Sequence, residues 1–158
     1  MKLYFVRHGK AVRIAASDEL RQLDEEGIRQ AQQIGQVLAG MGIKPAKIYS
    51  SPRLRALETA RLIGNALGIE PEIHNACNFD FTLDDALELA APFADDNEVM
   101  FVGHNPSMSE VVEAICGAQV DLSTGAVACV ARVHPPRSGD ATLKWLLTPK
   151  VAGAVLEE

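Results

Sequence analysis

The sequence predicts an α/β protein with three layers, α/β/α, in which a largely parallel central sheet ends in a C-terminal antiparallel hairpin. Two observations predict this fold. Short apolar runs typical of buried strands alternate with segments whose apolar residues recur at helical spacing. Near the C-terminus, two strand candidates are separated by a loop rich in proline and polar residues, which is typical of a hairpin. There is no linker or internal repeat, so we expect residues 1–158 to form a single domain.

Composition and charge narrow the possible functions. Hydrophobic residues make up 47% and charged residues 23% of the chain, as in ordinary globular proteins. The net charge is −6 and there is no long basic run, which argues against a nucleic-acid or membrane surface. Cys77, Cys116 and Cys129 lack the close spacing of a metal or redox motif, which favours a reducing compartment. With no expected signal peptide or membrane span, we predict a cytoplasmic protein, and we take it to be a monomer.

The first elements can be assigned from hydrophobic patterning. Residues 3–6 are a short apolar run and are predicted to form a buried strand. No pattern assigns a conformation to the connector 10–22. A helix is predicted over 24–41, with Asp24 as its N-cap. A second strand is predicted at 46–49.

The middle of the chain continues the alternation. Ser51 as a cap and Pro52 in the first turn predict the start of the second helix, and Gly68 predicts its end. A third strand is predicted over 72–76. Thr82 then begins a segment that resembles a capping box and predicts a third helix.

The last elements include the hairpin. A strongly apolar fourth strand is predicted over 99–102, and the following Asn-Pro pair repeats the arrangement of a cap and then a proline before a helix. Two strands are predicted over 126–133 and 141–147, joined by the loop 135–140. Residues 151–158 are expected to be a loosely held tail.

Polar clusters follow three of the predicted strands, at residues 7–9, 51–55 and 103–105. The carboxyl ends of parallel strands share one edge of a sheet, where open α/β sheets place their ligand crevice, so these clusters are expected to meet. Gly9 would let the chain turn sharply beside them. The alternative is a set of exposed strand ends with ordinary polar residues. If the clusters meet, they bring together two arginines and two histidines: Arg7, His8, Arg55 and His104.

These four side chains suit the binding and transfer of a phosphoryl group. Arg7 and Arg55 offer planar, permanently charged groups that match phosphate. His8 is the candidate nucleophile; it must be unprotonated at one ring nitrogen, and the two guanidinium groups should lower its pKa. His104, if protonated, adds a third donor. The histidines are scattered without metal-ligand spacing, so we expect neither a metal nor a cofactor.

Three motifs carry a resemblance to a known family. The Arg-His-Gly sequence at 7–9, the segment 51–60 and the Gly-His-Asn-Pro sequence at 103–106 resemble the signatures of the histidine phosphatase superfamily, also called phosphoglycerate mutase-like. The short chain resembles the SixA-type phosphohistidine phosphatases within it. The resemblance implies that His8 becomes phosphorylated as the catalytic nucleophile. It also implies that the remaining basic residues form the phosphate-binding pocket with it: Arg7, Arg55 and His104.

Each acidic residue near the expected site has a catalytic or positioning interpretation and a simpler structural one. The resemblance implies a general acid after the third strand, where Asp80 is the candidate, with Asp84 and Asp85 behind it. The latter two are more simply first-turn helix acids, and for Asp80 a solvated loop carboxylate is favoured over the catalytic role. Glu58, three residues after Arg55, either orients that guanidinium or forms an exposed pair. A phosphohistidine substrate would lessen the need for an acid, because imidazole is a good leaving group.

The function implied by the residues and the resemblance is a metal-independent phosphatase that acts through a phosphohistidine intermediate on His8. Its expected partner is a protein carrying phosphohistidine. One alternative is a phosphomonoesterase or mutase acting on a small phosphomonoester. Another is a non-catalytic phosphate- or nucleotide-binding module, against which the absence of a Gly-rich dinucleotide motif or Walker loop counts.

Overall fold

The computed structural model of the protein describes residues 1–132 and 141–157. The strands in this part are β1 (Lys2–Arg7), β2 (Lys47–Ser50), β3 (Glu72–Ile73), β4 (Glu98–Gly103), β5 (Val127–Ala131) and β6 (Thr142–Leu147). The helices are α1 (Glu25–Gly40), α2 (Leu54–Leu67), α3 (Leu83–Ala90), α4 (Ser107–Cys116) and α5 (Pro149–Leu156). None of these helices is long and apolar enough to cross a membrane.

The strands form one mixed sheet in the order β3-β2-β4-β1-β5-β6. The pairs β2–β3, β2–β4 and β1–β4 are parallel, whereas β5 is antiparallel to both β1 and β6. This confirms the predicted fold class and the antiparallel C-terminal hairpin. The register of β1 against β4 sets Arg7 opposite Gly103, so two of the predicted polar clusters begin side by side.

Helices cover both faces of the sheet. Successive strand residues point to opposite sides, and apolar side chains on both sides pack against these helices. In β1, Leu3 and Phe5 pack into a core with α3 and α4, while Tyr4 and Val6 pack into a second core with α1, α2 and α5. All four side chains are buried. At about 1.5–3 kcal/mol for each large apolar side chain buried, the two cores hold the central strands and their carboxyl ends in place.

Two glycines allow the start of α1 to lie against the chain that follows His8. A Cβ atom added to Gly9 would lie 2.8 Å from the carbonyl oxygen of Gly27, and one added to Gly27 would overlap the carbonyl oxygen of Lys10. Gly9 does not have a positive φ. Glycine is therefore needed at position 9 for close backbone approach rather than for a positive φ.

Some element boundaries differ from the expectations. Helix α2 begins at Leu54 with Arg53 as its N-cap, two residues after the predicted cap Ser51. The Ser51 hydroxyl accepts from the backbone N–H of Arg53 at 3.2 Å and is also hydrogen-bonded to a histidine of the site. The third strand is shorter than predicted and gives way to a 3-10 turn, Asn75–Cys77. The capping box at Thr82 is present as predicted.

The C-terminal segment is a helix, so the expectation of a loosely held tail is wrong. The Thr148 side chain accepts a hydrogen bond from the backbone N–H of Val151, and Pro149 occupies the first turn. Ala152 is buried in the core that α5 shares with α1. The predicted hairpin loop 135–140 lies outside the described residues.

We predict that Gly27→Ala lowers the free energy of unfolding by about 1–3 kcal/mol, the usual cost of forcing an atom into a packed site. The backbone of Lys10 must move to admit the methyl group. Chemical denaturation measures the change.

The matched control is Gly40→Ala in the same helix, where an added Cβ has nothing within 4 Å. Its unfolding free energy should be unchanged or rise by at most about 1 kcal/mol. Equal destabilisation by the two variants would contradict the role given to Gly27.

Candidate active site

The carboxyl ends of β1 and β4 bring two histidines together. His8 follows β1 directly, and its backbone N–H donates to the carbonyl of Gly103 at 2.9 Å. His104 follows β4, and its ring centroid lies 5.2 Å from that of His8 in an edge-to-face arrangement. At the end of β2, the backbone N–H of Ser51 donates to Val102 at 3.0 Å, which brings the third cluster to the same edge.

The ring of His8 is held in one orientation. Its Nδ1 lies 2.6 Å from the carbonyl oxygen of Gly9, an atom that can only accept a hydrogen bond. Nδ1 therefore carries the proton, and the neutral ring presents an unprotonated Nε2. The Nε of Arg55 donates to this Nε2 at 3.4 Å.

Arg55 reaches the site from the first turn of α2, and its side chain is 5% exposed. Thr59, one turn further along, ties this turn to the chain behind His8. Its hydroxyl accepts from the backbone N–H of Gly9 at 3.0 Å and donates to the carbonyl of Arg55 at 2.8 Å. The segment 51–60 is thus joined to the Arg-His-Gly sequence at 7–9 twice, by Thr59 at the backbone of Gly9 and by Arg55 at the ring of His8.

Two buried nitrogen atoms at the site have no hydrogen-bond partner among the described residues. One is Nδ1 of His104, whose Nε2 is 2.8 Å from the Ser51 hydroxyl. The other is Nε of Arg7, whose Nη1 donates to the carbonyl of Leu122 at 3.0 Å. Buried polar nitrogens are normally paired, so these two atoms indicate where an anionic ligand could bind.

The site keeps both histidines neutral. Burial lowers the pKa of His8 to about 4, with further lowering by the charges of Arg55 and Arg7 and opposition from the hydrogen bond to Gly9. Burial also lowers the pKa of His104 to about 3, with His8 and Arg55 adding to the effect. The guanidinium groups act in the direction predicted from the sequence, but burial is the larger cause. His104 is therefore a neutral donor, and the protonated form considered from the sequence does not match its surroundings.

Asp18 is the site residue that the sequence reasoning missed. It lies in the connector that no pattern assigned, at the start of a 3-10 turn, Asp18–Leu20. Its carboxylate accepts hydrogen bonds from Arg21 at 3.1 Å, Arg53 at 2.6 Å and Arg55 at 3.2 Å. An isolated aspartate in an aperiodic loop carries no local sequence signal that could have identified it.

An aromatic ring beside the site was also missed. Phe79 is half-exposed, and its ring centroid lies 4.7 Å from that of His104. The guanidinium carbon of Arg53 lies 4.0 Å from the same centroid, at the distance of a cation–π contact. Phe79 therefore links His104 to the arginines at the edge of the site.

The other acidic candidates differ in their surroundings. Asp80 is exposed in the connection before α3. Asp84 and Asp85 are in the first turn of that helix, and Asp85 completes its capping box. The carboxylate of Glu58 accepts from the backbone N–H of Leu23 at 2.8 Å, so the expectation that it orients the nearby arginine is not supported by its contacts.

A cavity adjoins the basic cluster at Arg7. A cavity of about 610 Å³ is lined by Arg7 and Asn105 and by the carboxylates of Glu110, Glu113 and Asp121. Within residues 1–132 and 141–157 there is no group of three or more His, Cys, Asp or Glu side chains that could hold a metal ion. The three cysteines are free thiols.

Comparisons with known proteins assign the family. The model of the histidine phosphatase superfamily (branch 1) matches residues 3–78. An uncharacterised protein of Picosynechococcus is 34% identical over 124 residues, which cover 75% of each chain. The chain belongs to the histidine phosphatase superfamily.

Within this superfamily, the chain is similar over its full length to the SixA proteins. It is 27% identical over 164 residues to the phosphohistidine phosphatase SixA of Escherichia coli, covering 98% of this chain and 100% of the relative. The solved structure of a protein histidine phosphatase SixA superposes with a TM-score of 0.86 at 24% identity, covering 96% of this chain and 99% of the other. The two chains share one fold.

The depressed histidine pKa values predict a dependence of stability on pH. Between about pH 6.5 and pH 4 the unfolded chain binds protons that neutral His8 and His104 in the folded protein do not. Acidification through this window should therefore lower the free energy of unfolding, by up to about 1.4 kcal/mol per pH unit for each histidine.

Denaturation of the wild type and of His8→Gln at several pH values checks this expectation. The variant lacks one of the two groups and should lose less stability on acidification. Parallel stability profiles for the two proteins would show that His8 is not kept neutral by the fold.

Proposed function

We propose that the protein is a metal-independent phosphatase that transfers a phosphoryl group from a protein phosphohistidine to Nε2 of His8 and then to water. The observation that carries the proposal is the orientation of His8. The hydrogen bond to Gly9 leaves Nε2 unprotonated, and Arg55 and His104 face the same ring. An unprotonated imidazole nitrogen beside anion-binding donors is what a phosphoryl-transfer nucleophile needs.

In the first step, the lone pair of His8 Nε2 forms a bond to phosphorus as the bond from phosphorus to the substrate nitrogen breaks. A phosphohistidine ring protonated at its other nitrogen departs as neutral imidazole, so no proton is needed at the moment of cleavage. In the second step, water attacks phosphorus and His8 departs. Nδ1 of His8 keeps its proton, which it donates to the carbonyl of Gly9. His8 therefore also departs as neutral imidazole, and inorganic phosphate is released.

The remaining basic residues bind the phosphoryl oxygens in this proposal. Arg7 and Arg55 neutralise the negative charge on the equatorial phosphoryl oxygens in the transition state. The unpaired Nε of Arg7 and Nδ1 of His104 would find their missing partner in the phosphate. When the Ser51 hydroxyl donates to Nε2 of His104, Nδ1 carries the proton and is a neutral donor.

The carboxylates near the site favour a substrate with a good leaving group. Asp80 is exposed in its loop. Partial burial raises the pKa of Asp18. The hydrogen bond from Arg21 and the charges of Arg55 and Arg53 outweigh this effect and hold the pKa below its usual value. Asp18 is therefore ionised at neutral pH and is a poor proton donor. An imidazole leaving group needs a proton donor less than the alkoxide leaving group of a phosphomonoester does.

The name of the Escherichia coli relative, phosphohistidine phosphatase, supports the same substrate class. The cavity beside Arg7 offers room for part of a protein substrate next to the phosphoryl site. Three free cysteines fit a reducing compartment, so we place this reaction in the cytoplasm.

We predict that His8→Ala abolishes phosphate release from a phosphohistidine protein and from a generic aryl phosphate. The control is His74→Ala: His74 is a half-buried histidine outside the site, whose Nδ1 accepts from the backbone of Ala76. It should keep wild-type turnover.

The wild-type kcat/KM should be higher for phosphohistidine proteins than for small phosphomonoesters. The opposite ranking would favour the phosphomonoesterase alternative. Phosphate binding without turnover of any substrate would favour a non-catalytic module and sink the proposal.

We also predict that Arg55→Ala lowers kcat/KM by the equivalent of about 2–4 kcal/mol, as expected for the loss of a preorganised donor to the transition state. Arg61→Ala removes an exposed arginine from the same helix and should have little effect. Steady-state kinetics with an aryl phosphate compare the two variants. A near-wild-type rate for Arg55→Ala would contradict its assigned role.

A further inference from the structure

Arg55 is a buried cation whose far end is held by one residue. Its Nη1 donates to the backbone carbonyl of Asp18 at 2.9 Å, and its Nη2 donates to the Asp18 carboxylate at 3.2 Å. Arg55 is 4% exposed, so its charge needs a compensating anion nearby. The carboxylate of Asp18 is that anion.

Asp18 is itself fixed, although its side chain is 46% exposed. Arg53 and Arg21 both donate to its carboxylate, at 2.6 Å and 3.1 Å. Arg21 also donates from Nε to the carbonyl of Val12 at 2.8 Å, and the backbone N–H of Val12 donates to Gln22 at 2.9 Å. These contacts join Val12, near the start of the connector 10–22, to Arg21 and Gln22 at its end. They thereby hold Asp18 in a defined position against α2.

We propose that Asp18 is a positioning residue for the phosphatase reaction: it holds the guanidinium of Arg55 so that Nε faces Nε2 of His8. This inference rests on the proposed function. A guanidinium is planar, so fixing the hydrogen bonds of its two terminal nitrogens also fixes the direction of its Nε–H. That direction is toward His8, at 3.4 Å. Small misplacements of a catalytic group are costly, about a hundredfold in rate for 1 Å.

A competing interpretation is that the Asp18 carboxylate occupies the phosphate site and inhibits the enzyme. The contacts favour the positioning role. Three nitrogen atoms of the basic cluster do not contact Asp18. Nε of Arg55 donates to His8, and Nε of Arg7 and Nδ1 of His104 are unpaired among the described residues. An anion can therefore bind these donors while Asp18 stays in place.

The experiment compares Asp18→Asn with Glu26→Gln. Glu26 is an exposed carboxylate in an ion pair with Lys10 at 2.9 Å, so its variant removes a similar surface charge away from the arginines of the site. With an aryl phosphate as substrate, Asp18→Asn should lower kcat at least about tenfold with a smaller change in KM, and Glu26→Gln should leave both unchanged. Asp18→Glu should recover part of the loss.

A second measurement does not depend on turnover. The ¹H–¹⁵N signal of Arg55 Nε should be resolved in the wild type and in Glu26→Gln, because that N–H has a fixed partner. In Asp18→Asn it should broaden or shift, while the thermal midpoint shows whether the variant is folded. If Asp18→Asn fails to fold, the Arg55 signal and the kinetic constants are measured in Asp18→Glu, where both should differ from the wild type in the same direction.

The outcomes separate the alternatives. An unchanged kcat and an unchanged Arg55 signal in Asp18→Asn would overturn the proposal. Tighter inhibition by inorganic phosphate with an unchanged or higher kcat would instead identify Asp18 as an internal competitor. A wild type that turns over no substrate would refute the proposed function, while the Arg55 signal would still report whether Asp18 sets the position of that side chain.

Discussion

The parallel pairing of β1 with β4 is the constraint on which the site depends. Its register sets Arg7 opposite Gly103, and the backbone hydrogen bond from His8 to Gly103 extends it beyond the strand. Both strands are buried on both faces, so a slip of one residue would exchange the side chains of two packed cores. The packing that stabilises the sheet therefore also places His8 beside His104.

A buried cluster of basic groups has two physical consequences here. Burial and the neighbouring guanidinium charges favour neutral imidazoles, which leaves a nitrogen lone pair on His8 available to an electrophile. The buried charge of Arg55 also requires an anion, and the chain supplies Asp18 from a connector outside the sheet. The Asp18 carboxylate accepts from Arg21, Arg53 and Arg55. Nε of Arg7 and Nδ1 of His104, in contrast, have no hydrogen-bond partner among the described residues.

Much of the architecture could be predicted from the sequence because its signals are local. Apolar runs predicted the strands, and the cap at Asp24 and the capping box at Thr82 marked helix starts that the structure confirms. The same kind of reasoning placed the N-cap of α2 at Ser51 rather than at Arg53, and it did not identify the cap at Thr148 in the C-terminal segment. Cap propensity is a local preference, so it places a helix end only to within about one or two residues.

The sequence by itself determined the alternation of strands and helices, and hence that the basic residues after β1, β2 and β4 would share one edge of the sheet. Tertiary structure alone decided which of their atoms meet and which acid compensates them. Asp18 lies 37 residues before Arg55 in an aperiodic connector, and Glu58, the nearer carboxylate, turns to the backbone of Leu23. Periodicity describes elements that repeat, whereas a single side chain in an irregular loop finds its partner only when the chain has folded around it.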